Sequence, residues 1–189
     1  MESERLRLRD LQEEDLPVRF HWNTVETEWM LWDGPWESEG KSQEELYQEA
    51  IEANERLKKR LLKVYGDNEI RRVFEIELKE NKEYIGCVSS YNIDEDCNIN
   101  EEGNLLAIGM AIPERKWRRQ GLGFEAMKLV IGYYFDHGFH EIYTQTWSGN
   151  IPMIKLAEKL GFQEFRRKKD FRFVRGAYYD GLTFKKDKD

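Results

Sequence analysis

The chain has 189 residues, enough for one well-buried domain and few for two. Its formal net charge of -7 fits a water-facing globular protein and argues against a general nucleic-acid binder, which would be basic overall. No apolar run is long enough to cross a bilayer, and Met1-Glu2-Ser3-Glu4-Arg5 lacks the apolar core of a signal peptide. Cys87 and Cys97 are too few for a disulfide framework and read as free thiols. A cytoplasmic protein is expected, without a membrane or nucleic-acid partner. No metal site is expected either, because His21, His137 and His140 lack metal-ligand spacing with other ligands.

In chain order, Leu6-Arg7-Leu8 alternates like a strand, and residues 10–23 read as a short helix with Leu11, Leu16 and Phe20 apolar. Trp29, Trp32 and Trp36 then gather around Asp33-Gly34-Pro35, where they either cover the core or line an acceptor pocket. Residues 42–64 form the clearest helix. Ser42 and Glu45 make a capping box, acids sit early and bases late, and Gly66 can end it in the left-handed conformation. Residues 73–78 and 84–93 read as a hairpin across Asn81-Lys82, followed by an acidic loop, 94–103, that reads as flexible. Residues 105–112 are nearly all apolar, as in a central strand, and Pro113 stops them.

A helix follows from Gly121 to about His137, then a strand, 141–147, and a helix capped by Asn150 with Pro152 in its first turn. A final hairpin, 162–173 and 177–184, turns at Gly176, and the bases 166–169 read as a solvated edge that discourages strand pairing. One α/β domain, 1–189, accounts for the chain.

The most informative stretch is Arg118-Arg119-Gln120-Gly121-Leu122-Gly123, between the central strand and a helix. Glycines allow close backbone approach, and a helix start leaves N–H groups without intrahelical partners, which together suit a phosphate-like anion. Asn150 and the segment Glu158-Lys159-Leu160-Gly161-Phe162 complete the pattern.

With these residues the chain resembles the GNAT family of N-acetyltransferases. It is most similar to the ribosomal-protein N-terminal acetyltransferase branch, through Glu125-Ala126, Asp33-Gly34-Pro35-Trp36 and Tyr179-Asp180. The resemblance implies a single-domain GNAT fold: a mixed, mostly antiparallel twisted sheet with helices on both faces, splayed at the central strand. Acetyl-CoA would be the co-substrate in the opening, with an amine acceptor as the second partner and a monomer or homodimer as the assembly. It also implies that the backbone of Met110, Ala111 and Ile112 pairs with the pantetheine arm, and that the N–H groups of Gln120, Gly121, Leu122 and Gly123 hold the pyrophosphate. Arg118 and Arg119 would add charge, Arg115 or Lys116 would reach the ribose phosphate, and Asn150 would belong to the cofactor site. The Met110 N–H would meet the oxyanion.

Positions that carry a proton-transfer residue in many members are Ala107, Met153 and Ala157 here. Proton removal through water to another group is therefore expected, from among Ser89, Tyr91, Tyr143, Ser148, Tyr178 and Tyr179. Neutralising a lysine-type amine at pH 7 costs about 4.6 kcal/mol, but an α-amino group costs only about 1–1.4 kcal/mol. The expectation is acetyl transfer to a primary amine by direct attack in a ternary complex, with Ser148 and Tyr143 as catalytic candidates and Trp32, Trp36 and Tyr91 against the acceptor. A small cationic amine such as a polyamine or aminoglycoside, or a CoA-binding module without catalysis, are the competing expectations.

Overall fold

The computed structural model describes residues 1–66 and 69–188. In chain order the elements are β1 (Leu6–Arg9), α1 (Asp15–Thr24), α2 (Gln43–Leu61), β2 (Val73–Leu78), β3 (Tyr84–Ile93), β4 (Leu105–Ala111), α3 (Leu122–Asp136), β5 (Glu141–Trp147), α4 (Ile151–Lys159), β6 (Gln163–Val174) and β7 (Ala177–Asp187). Short 3-10 turns occupy Thr27–Leu31, Pro35–Glu37 and Arg115–Trp117. The strands form one seven-stranded sheet in the order β1-β2-β3-β4-β5-β7-β6. Every neighbouring pair is antiparallel except β4 and β5, which are parallel and register at a single pair, Ala107 opposite Tyr143.

That single pair marks where the sheet parts. A continuous parallel ladder would carry evenly spaced bonds along both strands. Here the Thr144 hydroxyl donates to the Ile108 carbonyl at 2.8 Å, one residue past the registered pair. Beyond it β4 and β5 diverge into a wedge.

The amphipathic α3 buries Leu122, Ala126, Met127, Val130, Ile131 and Tyr134. With Ala157 of α4 they cover the apolar sheet face of Leu6, Leu8, Phe74, Ile76, Val88, Ile108 and Ile142. The α1 and α2 side combines Trp22, packed on Tyr84, with buried charged pairs. Arg9 pairs with Asp15 (2.6 Å) and Glu77 (2.7 Å), Arg60 pairs with Glu75, and the Tyr84 hydroxyl donates to Glu75. Each of these buried carboxylates has an arginine partner, which offsets the cost of taking it out of water.

Three expectations are corrected. The first helix begins at Asp15, because its carboxylate accepts the Gln12 N–H (2.8 Å) and the Arg9 guanidinium and so closes a turn before the helix. The capping box of Ser42 and Glu45 is present, but α2 ends at Leu61 with Leu62 right-handed, and Gly66 is not left-handed. Leu62 and Val64 are exposed, so nothing apolar rewards another helical turn. The acidic loop is tied down. Asp94 accepts the N–H groups of Asp96 (3.0 Å) and Asn98 (2.9 Å), and Ile99 bridges back to Ile93.

Candidate active site

The glycine loop joins the end of β4 to α3. Arg119 (φ 61°) and Gly121 (φ 80°) are both left-handed, and this kink turns the chain into the helix. Among the described residues, the N–H groups of 119–124 have no protein acceptor; Glu125 is the first to bond back, to the Gly121 carbonyl at 3.1 Å. A Cβ at Gly123 would stand 3.1 Å from the Met110 Cε, so the first turn of α3 sits directly against β4. Arg5 fastens the loop from outside, donating to the Gln120 carbonyl (3.0 Å) and to Glu125 (2.8 Å). Burial pushes the Glu125 carboxyl up, but hydrogen bonds from Ser3 and Arg5 outweigh it and hold the group below the usual range.

Met110 lies at the wedge. Along a strand the peptide groups of alternate residues face the same neighbour. The Ile108 carbonyl faces β5, where Thr144 meets it, so the Met110 N–H and C=O face β5 as well, past the last registered pair. Ala111 faces β3 instead, since a Cβ at Gly86 would stand 2.1 Å from its carbonyl oxygen. The Ile112 carbonyl is already engaged, accepting Arg118 Nε at 2.8 Å. Of the three residues expected to offer backbone groups to a pantetheine arm, Met110 thus turns both of its groups toward β5, and the Ile112 N–H has no acceptor among the described residues.

Arg118 itself is turned inward. Besides Ile112 it donates to the Pro113 carbonyl and to Glu28 (2.6 Å), so its guanidinium is engaged within the protein. Arg119 is exposed and has no hydrogen-bond or ion-pair partner among the described residues. Lys116 pairs with Glu83 (2.8 Å) and Glu114 (2.9 Å), whereas Arg115 is held only loosely, 3.7 Å from Glu28. Gln120 donates to the Lys116 carbonyl. Asn150 accepts the Met153 N–H (3.2 Å) as helix cap and donates to the Trp32 carbonyl (3.0 Å), so most of its side-chain capacity is used inside the protein.

On the opposite face β4 is narrow. Ala107, Gly109 and Ala111 lie opposite Tyr91, Ser89 and Cys87 of β3, and a Cβ at Gly109 would meet only Tyr91, at 3.8 Å. Ala107 is buried against Ile93 and Tyr143, whereas Gly109 leaves an opening over the central strand beside Tyr91. Its far wall is aromatic. Trp36 meets Trp147 (6.2 Å) and Phe171 (5.9 Å) edge-on, and Trp147 meets Tyr179 (4.9 Å). A bulge between Lys168 and Arg172 in β6, held by Asp180 on the Asp170 N–H (3.2 Å), swings Phe171 onto Gly181 and Arg172 over Trp36. Asp33 is exposed as a residue, yet loss of solvent around its carboxyl group, aided by Glu37, raises its pKa; burial, with the Asp33 charge second, raises that of Tyr91.

Ser148 stands at the end of β5 and accepts the Asp180 N–H on Oγ at 2.9 Å, which leaves its proton free to donate elsewhere. Tyr143 is set back from Met110, and its hydroxyl is already engaged. It lies opposite Ala107, three residues back along β4, and its hydroxyl donates to Glu141 at 3.0 Å. Burial and Glu141 push it up to about 12. Tyr178 is exposed against Phe173, apart from the groove. Sequence reasoning missed Glu28 and Arg5, single charges in charge-rich segments with no pattern to flag them. It met Asp33 only as part of a motif.

A mixed sheet that parts at its central parallel pair, with a glycine-started helix against the opening, defines the class of fold. The family model described as Acetyltransferase (GNAT) domain matches residues 5–163, and the chain belongs to that family. A curated relative, the SPbeta prophage-derived uncharacterized N-acetyltransferase YokL of Bacillus subtilis (strain 168), is 26% identical over 110 residues, 58% of this chain and 58% of its own length. The matched region therefore spans under two thirds of that relative. Among solved structures, spermidine N-acetyltransferase from Vibrio cholerae, in complex with CoA and spermine, superposes with a TM-score of 0.65 at 22% identity, covering 98% of this chain and 96% of that one. Ribosomal-protein-S5-alanine acetyltransferase from Vibrio fischeri gives 0.65 at 20% identity, covering 100% and 96%. At these identities the likeness is one of fold.

Proposed function

We propose that this chain transfers an acetyl group from acetyl-CoA to a primary amine by direct attack in a ternary complex. The observation that carries the reading is the row of unpartnered N–H groups at 119–124, beside the wedge into which Met110 turns its own peptide groups. Hydrogen bonds to a charged group contribute about 1.5–3 kcal/mol each, so a few N–H bonds to a pyrophosphate supply the ~8 kcal/mol of micromolar binding. Gln120, Gly121, Leu122 and Gly123 hold the pyrophosphate, with Arg119 adding charge. Asn150 shapes the edge of the pantetheine channel. The Met110 N–H donates to the oxyanion as the amine attacks the thioester carbonyl, and the Ser148 hydroxyl donates to the departing thiolate.

The acceptor lies in the groove between Tyr91 and the tryptophans 32 and 36. Asp33 takes its proton through water, a role suited to a carboxyl group whose pKa is raised. Fold relatives that act on a ribosomal protein and on spermidine support an amine acceptor without choosing between a protein N-terminus and a small molecule. A small cationic amine is the second reading, favoured by Asp33 and Glu37 beside the tryptophan-rich wall.

Thiol release from acetyl-CoA with a panel of peptide N-termini and polyamines tests the proposal. Turnover with one class assigns the acceptor. CoA binding without turnover on any amine leaves a binding module instead. Ser148→Ala should lower kcat about 10- to 100-fold with the KM for acetyl-CoA little changed. Asp33→Asn should lower kcat/KM for the amine and abolish the acid limb of its pH profile, since that limb reports protonation of the carboxylate; an unaltered limb would remove Asp33 from the mechanism.

A further inference from the structure

The wedge between β4 and β5 has two rims, and one short segment is hydrogen-bonded to both. On the β4 rim Arg118 clasps the Ile112 carbonyl (2.8 Å) and the Pro113 carbonyl and pairs with Glu28 Oε2 at 2.6 Å. The other Glu28 oxygen accepts the Trp32 indole N–H at 3.0 Å. On the β5 rim the Trp32 carbonyl accepts the Trp147 indole N–H (2.8 Å) and the Asn150 amide (3.0 Å). Residues 28–32 therefore form a strap across the mouth, anchored by an ion pair at one end and by two neutral bonds at the other. The side chains of Arg118 and Glu28 are only 24% and 26% exposed, and a charge-assisted bond at such a site is stronger than a surface pair. The Trp32 indole and Arg118 together hold the Glu28 carboxyl below its usual range, although partial burial opposes them.

We propose that Glu28 is a positioning residue: through Arg118 it holds the strap across the wedge and so couples coenzyme seated on the loop to the placing of the acceptor by Trp32 and Trp36. This rests on the acetyl-CoA reading of the wedge. Arg118 is then the bolt of the strap rather than a phosphate ligand, because contacting a pyrophosphate would require it to release Glu28. Positive charge for the phosphates comes from Arg119 and the helix start. The strap acts on the acceptor because the same short segment carries Asp33 immediately after Trp32 and continues through Gly34-Pro35 to Trp36.

The test compares the wild-type chain with Glu28→Gln, Arg118→Gln, Arg118→Lys and the double glutamine variant. If Glu28 positions the strap, Glu28→Gln and Arg118→Gln each raise the KM for the amine about tenfold, and the double variant adds about twofold or less, since the two act as one unit. The Kd for CoA, measured by calorimetry, stays within about threefold, and amide exchange across residues 27–33 quickens about tenfold in the free chain. Simple destabilisation would lower Tm and the active fraction and leave both KM values in place. Arg118→Lys keeps the charge and covers the case in which Arg118→Gln fails to fold; it should show the same rise in amine KM. A tenfold weaker CoA affinity in the Arg118 variants, with amine KM and exchange unaltered in Glu28→Gln, would overturn the proposal in favour of a phosphate ligand. A wild-type chain that binds CoA and acetylates no amine would refute acetyl transfer alone. Amide exchange would then decide the strap, supported if Glu28→Gln opens residues 27–33 and overturned if it does not.

Discussion

Gly121 shows how a single residue sets the site. Its φ of 80° belongs to the region that a side chain disfavours, and it turns the chain into α3 amid N–H groups that have no protein acceptor among the described residues. Gly121→Ala should cost about 1–2 kcal/mol and lower Tm by about 2–8 °C for a chain of this size. Coenzyme affinity should fall with it; an unchanged Kd would show that the kink does not matter for binding. Tyr143 makes the opposite point. Its hydroxyl is committed to Glu141, so Tyr143→Phe should leave kcat within about twofold, a result that a proton-transfer role would not survive.

Among the elements, the sequence was legible wherever one local rule governed. The hairpin of β2 and β3 appeared at its expected ends because the alternation of Val73–Leu78 and the polar turn after it define it. The Ser42 capping box appeared because its two bonds are local. Ser42→Ala should lower Tm by the few degrees that about 1 kcal/mol represents, without touching coenzyme binding, because α2 lies away from the wedge. What the sequence left hidden was set by contacts far along the chain. Glu28 meets Arg118 across 90 positions, and Trp32 meets Trp147 across 115. No periodicity links such pairs, so the strap, and with it the inward turn of Arg118, had no local signature. The early end of α2 was hidden for a related reason, since charge and capping cannot say whether Leu62 and Val64 find a surface to cover.

For the whole molecule, charge placement bounds the pH range of stability. The Glu28 and Glu125 carboxyls are held below their ordinary 4.5, so the stability they add is present above that value and is lost as pH falls through their depressed folded pKa values. Tyr134 and Tyr143 are both raised from 10.0 to about 12, chiefly by burial, so their contribution is present below pH 10 and is lost as pH climbs toward 12. Tm should therefore hold a plateau at neutral pH and fall on both sides. Glu125→Gln should shallow the acid slope, and Tyr134→Phe, which loses donation to the Arg71 carbonyl (2.9 Å) and the hydrogen bond accepted from Ser90 (2.7 Å), should shallow the alkaline one. Slopes identical to wild type would show that other groups control both limbs.

The contact of Gly86 with the Ala111 carbonyl reaches further than the β3–β4 pair. A methyl group at position 86 would stand 2.1 Å from that oxygen, nearer than atoms can come, and the end of β4 would have to retreat. Retreat from β3 is movement toward β5. The gap proposed for the coenzyme is thus gauged from behind, by a missing side chain one strand away from the opening. A bulkier residue there would narrow the entrance without touching any group that binds or reacts, and variation at position 86 would read as a change in coenzyme access.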